Sequence, residues 1–168
     1  MCPFRLDILL DPQAEDRAAL ERWPATPLVP DLETLASGWI VLWFDDGQKP
    51  AGETLRLGDT VFVFAQHLVD AALHLRGGSE QVAGFGDGPA CLVLQRVHDG
   101  RVRVSYRDDA SDDDNAVVTV SEVEFLATVK MAVSRYIDAL VALNARLAGH
   151  PSVAALRDRE ASLQRSLE

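Results

Sequence analysis

Three side chains in this sequence stand where metal chemistry would begin. His67, Asp70 and His74 are offset by three, four and seven residues, which places them in one row if the segment is helical. Two imidazoles and a carboxylate are a legitimate metal set. The two histidines would lie about 10 Å apart at 1.5 Å rise per residue, which is long for sharing one ion. The rest of that segment is apolar: Val61, Phe62, Phe64, Ala65, Leu68, Val69, Ala72, Leu73 and Leu75. With Gln66, the row therefore reads as the solvent face of a deeply packed helix. No metal and no cofactor is expected.

Other chemistries find weaker footing. Gly84-Phe85-Gly86-Asp87-Gly88 lacks the Gly-Lys-Ser/Thr ending of a phosphate loop, and no helix signal follows it. No Gly-x-Ser-x-Gly nucleophile elbow occurs, and Cys91 sits in a strand-like run where a buried thiol is the default. His98 and His150 fall at turns without a carboxylate beside them. Arg101, Arg103 and Arg107 alternate along one strand face, but no aromatic residues lie between them to stack bases. No catalytic residue is assigned, and the chain is read as non-enzymatic.

The acidic residues carry the strongest functional signal. Asp108, Asp109, Asp112, Asp113, Asp114, Glu122 and Glu124 give residues 108–124 seven carboxylates and no basic group. The run lacks the spacing and central glycine of a calcium-binding EF-hand loop. It is expected to steer a cationic protein and speed its association. The whole chain is formally −10, with a pI of about 4.8. Such a field repels phosphate backbones and anionic lipid, so neither nucleic acid nor membrane is an expected partner. Two cysteines without metal or redox spacing fit a reducing compartment, and no signal peptide or membrane span is read. The expected location is cytoplasmic.

The elements that would position these residues follow from pattern and punctuation. Residues 4–10 and the Trp-rich run 38–44 read as strands, the second apolar on both faces and so central or covered twice. Asp11 and Pro12 would open a short helix to residue 23. Asp45-Asp46-Gly47 signals a turn, a polar loop follows, and Asp59 would cap a helix over 60–76. Residues 79–88 read as a glycine-rich turn region. Residues 90–97 and 101–107 form a hairpin about His98-Asp99-Gly100, and 116–120 add a strand. Ser121 and Glu124 make a capping box for a long helix to Gly149. The last segment places Val153, Leu156, Leu163 and Leu167 on one stripe, which must pack on its own domain or on another chain. The expected fold class is α+β: a small, mostly antiparallel sheet against an apolar helix and a long C-terminal helix. Residues 1–149 would be one domain and 150–168 a helical extension.

This order of elements resembles small actinobacterial proteins of the immunity type, encoded beside secreted polymorphic toxins. The resemblance lies in residues 38–47, 89–107 and 121–147. It implies a cytoplasmic protein that neutralises a basic toxin or enzyme, and it brings no active-site residues. The alternative reading is an adaptor or homodimer docking through Leu156, Leu163 and Leu167. A third is a small-molecule binder or enzyme with a pocket beside residues 60–76, where His67, Asp70 and His74 are the polar candidates.

Overall fold

The computed structural model describes residues 3–28, 31–45, 53–78, 80–86, 88–108 and 115–167. The fold is α+β, with two antiparallel sheets and five α-helices among those residues. The first sheet joins β1 (Phe4–Leu10), β2 (Gly38–Phe44) and β3 (Glu53–Asp59), with β2 in the centre. Its register aligns Leu6, Leu42 and Leu55 in one row and Ile8, Ile40 and Leu57 in the next. Side chains alternate across a strand, so these rows share a face. That face is the inner one: Leu6, Ile8, Ile40 and Leu42 are buried there with Phe4 and Phe44. A Cβ at Gly38 would overlap the Leu9 carbonyl oxygen, so only glycine lets β2 begin against β1.

The second sheet orders β4 (Gln81–Gly84), β5 (Cys91–Val97), β6 (Arg101–Arg107) and β7 (Ala116–Ser121) consecutively. Asp99 and Gly100 take left-handed φ values of 63° and 66° and close the expected β5–β6 hairpin. Val102, Val104 and Tyr106 point inward, as their alternation requires. The expectation of a single sheet is thus refined to two. Residues 53–59, read as loop, pair with β2, and residues 81–84, read as turn, pair with β5. The cap position moves with them: Asp59 ends β3, and Thr60 precedes the helix.

Five helices complete the described fold: α1 (Ala14–Arg22), α2 (Leu32–Leu35), α3 (Val61–His74), α4 (Glu122–Leu143) and α5 (Pro151–Leu167). Aromatic contacts join the layers. Phe4 meets Phe125 of α4 with ring centres 6.0 Å apart, and Phe62 of α3 meets Tyr136 of α4 at 6.2 Å. Phe64 stacks on Phe85, just past β4, at 4.7 Å. Tyr136 is wholly buried and its hydroxyl donates to the Ala36 carbonyl at 3.0 Å. Burial, helped by the Glu33 carboxylate, holds its pKa well above the usual 10.0, so the phenol stays protonated.

Both ends of α4 are side-chain decisions. Ser121 Oγ accepts from the Glu124 amide at 3.1 Å, as a capping box requires. The return contact differs from the simplest box, because the Ser121 hydroxyl donates to the Glu124 carboxylate at 2.9 Å. At the other end the helix stops at Leu143 rather than reaching Gly149. Asn144 takes extended backbone angles and its amide donates to the carbonyls of Leu20 and Trp23, at 2.9 and 2.7 Å. It also accepts from the Arg146 amide, opening the short 3-10 turn Ala145–Gly149. One polar side chain therefore ends α4 and ties down the end of α1. The start of α1 differs too: Gln13 stands at its cap, and Asp11 instead accepts the Trp39 indole N–H.

Candidate partner-binding surface

Of the seven carboxylates expected to form the acidic patch, three lie within the described residues and four outside them. Asp109, Asp112, Asp113 and Asp114 lie in that undescribed stretch. Asp108 is half-buried beside Tyr106. The Tyr106 pKa is raised by burial first, then by the Asp108 charge and by Cys91. Glu124 is exposed and occupied with Ser121. Glu122 must be corrected. It is 6% exposed, and its carboxylate receives Arg76 Nε at 2.9 Å and Arg96 Nε at 3.0 Å. It is the first residue of α4, where an anion also suits the helix dipole. Its amide donates to the Gly100 carbonyl, and Arg76 also donates to the Ser166 carbonyl. Glu122 therefore clamps the hairpin, the end of α3 and the end of α5 together, and little of it remains exposed.

The C-terminal leucines are corrected in the same way. Leu156 and Leu163 are completely buried in the chain's own core with Val153, and Leu167 packs partly against it. α5 lies along α3 and α4, and Arg159–Asp70 at 3.0 Å and Lys130–Glu160 at 3.8 Å bracket the contact. The same ion pair breaks up the histidine row. Asp70 faces Arg159, His67 Nδ1 sits 3.0 Å from the Gly84 carbonyl, and His74 Nδ1 sits 2.7 Å from the Asp70 carbonyl. Among the described residues, no three His, Cys, Asp or Glu side chains gather closely enough to hold a metal ion. Arg101 donates to the Thr119 carbonyl at 2.9 Å, and Arg107 reaches Glu80 at 3.5 Å. Cys91 is half-buried at the start of β5 rather than fully buried.

A different surface lies on the first sheet. The register places Arg5, Trp43 and Thr54 in one row, Asp7, Val41 and Arg56 in the next, and Leu9, Trp39 and Gly58 in the third. These residues alternate with the buried set, so they form the outer face. Leu9 is 46% exposed, Trp39 and Trp43 are half-buried, and Arg5, Thr54 and Arg56 are exposed. The centre is fixed. Val41 is nearly covered, the Trp39 indole lies over Gly58, and the Arg56 guanidinium sits 4.3 Å above the Trp39 ring. Asp11 holds the indole N–H at 3.0 Å. α4 packs on the buried face through the Phe4–Phe125 contact, and its Arg135 reaches Asp7 of the outer face at 3.6 Å.

Comparison with protein-family models, with curated proteins and with solved structures finds no match. No described helix is long and apolar enough to cross a membrane. Open hollows among the described residues include two elsewhere. One, about 470 Å³, lies between α1 and α4 beside Arg17, Glu21 and Ala139. The other, about 420 Å³, lies at the β5–β6 turn beside Arg96, His98 and Asp99. Neither holds a nucleophile with a base against it, and neither adjoins the Trp face.

The signal for the Trp face was present in the sequence. A seven-residue strand apolar on both faces reads as central or covered twice. It is central, and on its second face Val41 is nearly covered while Leu9 and Arg56 stay exposed.

Proposed function

We propose that this chain is a non-enzymatic protein-binding module, and that the outer face of the β1–β2–β3 sheet is its contact surface. The partner class favoured by the charge of −10 is a basic protein, a toxin or enzyme held inactive by the contact. The observation that carries the reading is the Trp39–Val41–Trp43 row flanked by Leu9, Arg5 and Arg56. The open face of an antiparallel sheet is normally polar. Tryptophan and arginine are the residues that most often dominate binding energy at protein interfaces. Trp39 is already held by Asp11 and Arg56, so little side-chain freedom remains to be lost on binding.

The test is co-purification of the full chain with the product of the neighbouring gene, at low salt. The wild type is expected to retain a stoichiometric basic protein. Trp43→Ala removes an indole without touching the Asp11 or Arg56 contacts and is expected to weaken retention roughly tenfold or more. Replacing Asp112, Asp113 and Asp114 with lysine is expected to slow association and flatten its salt dependence. Retention of no protein, or equal retention by Trp43→Ala, overturns the assignment.

A further inference from the structure

The four edge strands differ in what lies beside them. β4 lies along α3, with His67 Nδ1 beside the Gly84 carbonyl. β1 lies along α4, and β7 touches both α4 and β2. β3 pairs with β2 on one side, and no other described strand pairs with its second edge. An open edge presents a row of N–H and C=O groups that an extended chain satisfies. The second edge of β3 also runs beside the Trp face, because Arg56 belongs to both.

The side chains of β3 state which chain would fit. Leu55 and Leu57 point to the core side and are only partly buried against it. Arg56 points to the outer face, is exposed, and makes no hydrogen bond to a described residue. Its position over Trp39 fixes the guanidinium while leaving its donors available. Residues 53–59 contain no proline, and Arg56 is their one basic residue.

We infer that β3 is a strand-addition edge, and that the occupant is an extended segment of another protein. That segment carries apolar residues beside Leu55 and Leu57 and an acidic residue beside Arg56. The inference rests on the protein-binding reading and specifies how the partner is held. Apolar neighbours would complete the cover over the two leucines, and a carboxylate would meet the fixed guanidinium. A second copy of this chain suits the edge poorly. Each copy brings a charge of −10, and antiparallel pairing about the strand centre sets Arg56 opposite Arg56.

The test uses the full chain and two probes, an acetylated Thr-Val-Glu-Val-Thr peptide and its twin with lysine in place of glutamate. Amide shifts and hydrogen exchange are read at residues 54–58. The glutamate peptide at millimolar concentration is expected to shift these amides and slow their exchange. Arg56→Glu is expected to weaken that peptide roughly three- to tenfold and to strengthen its lysine twin by a similar factor. No change at residues 54–58 overturns the inference, as does equal binding of both peptides by both proteins. Protection that rises with protein concentration without peptide would make a second copy the occupant and also overturns it. Loss of the co-purified partner on Trp43→Ala, without peptide binding, would leave the sheet-face reading standing and remove the strand addition alone.

Discussion

Leu163→Ala tests whether α5 belongs to the chain's own core. Leu163 is fully buried on the face of α5 that meets α3 and α4. Removing a buried leucine to alanine costs about 2–5 kcal/mol, depending on how far the site collapses. α5 is packed on one side, with Ala161 and Ser162 half-buried beside it, so some relaxation is available. A cost of about 3 kcal/mol is therefore expected, near the low end of that range. At this chain length that lowers Tm by about 6–12 °C. Urea unfolding followed by circular dichroism gives the free energy, and light scattering after size exclusion gives the mass. Leu156→Ala should behave alike, and Leu167→Ala, only partly buried near the end of α5, should cost under about 1 kcal/mol. The transition should not depend on protein concentration. A cost below about 1 kcal/mol for Leu163→Ala would refute the reasoning. So would a concentration-dependent Tm that the substitution abolishes, because the leucines would then face another chain.

Glu122→Gln keeps the shape but removes the charge that Arg76 and Arg96 share. Both arginines are largely solvated, at 61% and 42% exposure, so the expected loss is about 1–2 kcal/mol in chemical denaturation. Tyr136→Phe should cost about 1–2 kcal/mol at neutral pH, because the Ala36 carbonyl loses its buried donor. Tyr136 also makes the wild type sensitive to alkali. Its folded pKa is raised, so its contribution is whole below pH 10 and falls by up to about 1.4 kcal/mol per pH unit above it. Stability against pH, measured between pH 9 and 11 (roughly spanning the free phenol pKa), should be flatter for Tyr136→Phe than for the wild type. Asn144→Ala strips the end of α1 of its donor and should cost about 1–3 kcal/mol, with amide exchange faster in residues 14–22.

What was legible in the sequence was local. Ser121 and Glu124 lie within one turn, Asp99 and Gly100 are adjacent, and Val102, Val104 and Tyr106 alternate within one strand. Each pattern states its own backbone geometry, and each is found. What was missed depends on distant partners. β3 reads as loop because its alternation is short and Gly58 weakens it, yet Gly58 is where the Trp39 ring lies. Glu122 reads as exposed because first-turn carboxylates usually are. Its burial is decided by Arg76, 46 residues away, and by Arg96. Asn144 follows the apolar positions Ile137, Leu140 and Val141 of α4 at helical spacing, yet its amide serves carbonyls more than 120 residues back.

The same division separates the two parts of the proposed surface. Net charge acts over about a Debye length, and it guides an approaching protein without requiring any one carboxylate to be exposed. Turning Glu122 inward therefore costs the field little. Its charge is opposed locally by two guanidiniums, whereas the chain as a whole stays at −10. A sheet face works differently. Trp39 contributes only in the orientation that Asp11, Gly58 and Arg56 give it, and Trp43 only because β2 is held between β1 and β3. Charge should therefore govern how fast a partner arrives, and the indoles how long it stays. Composition announces the first and says nothing of the second, which comes into being only when β1, β2 and β3 align.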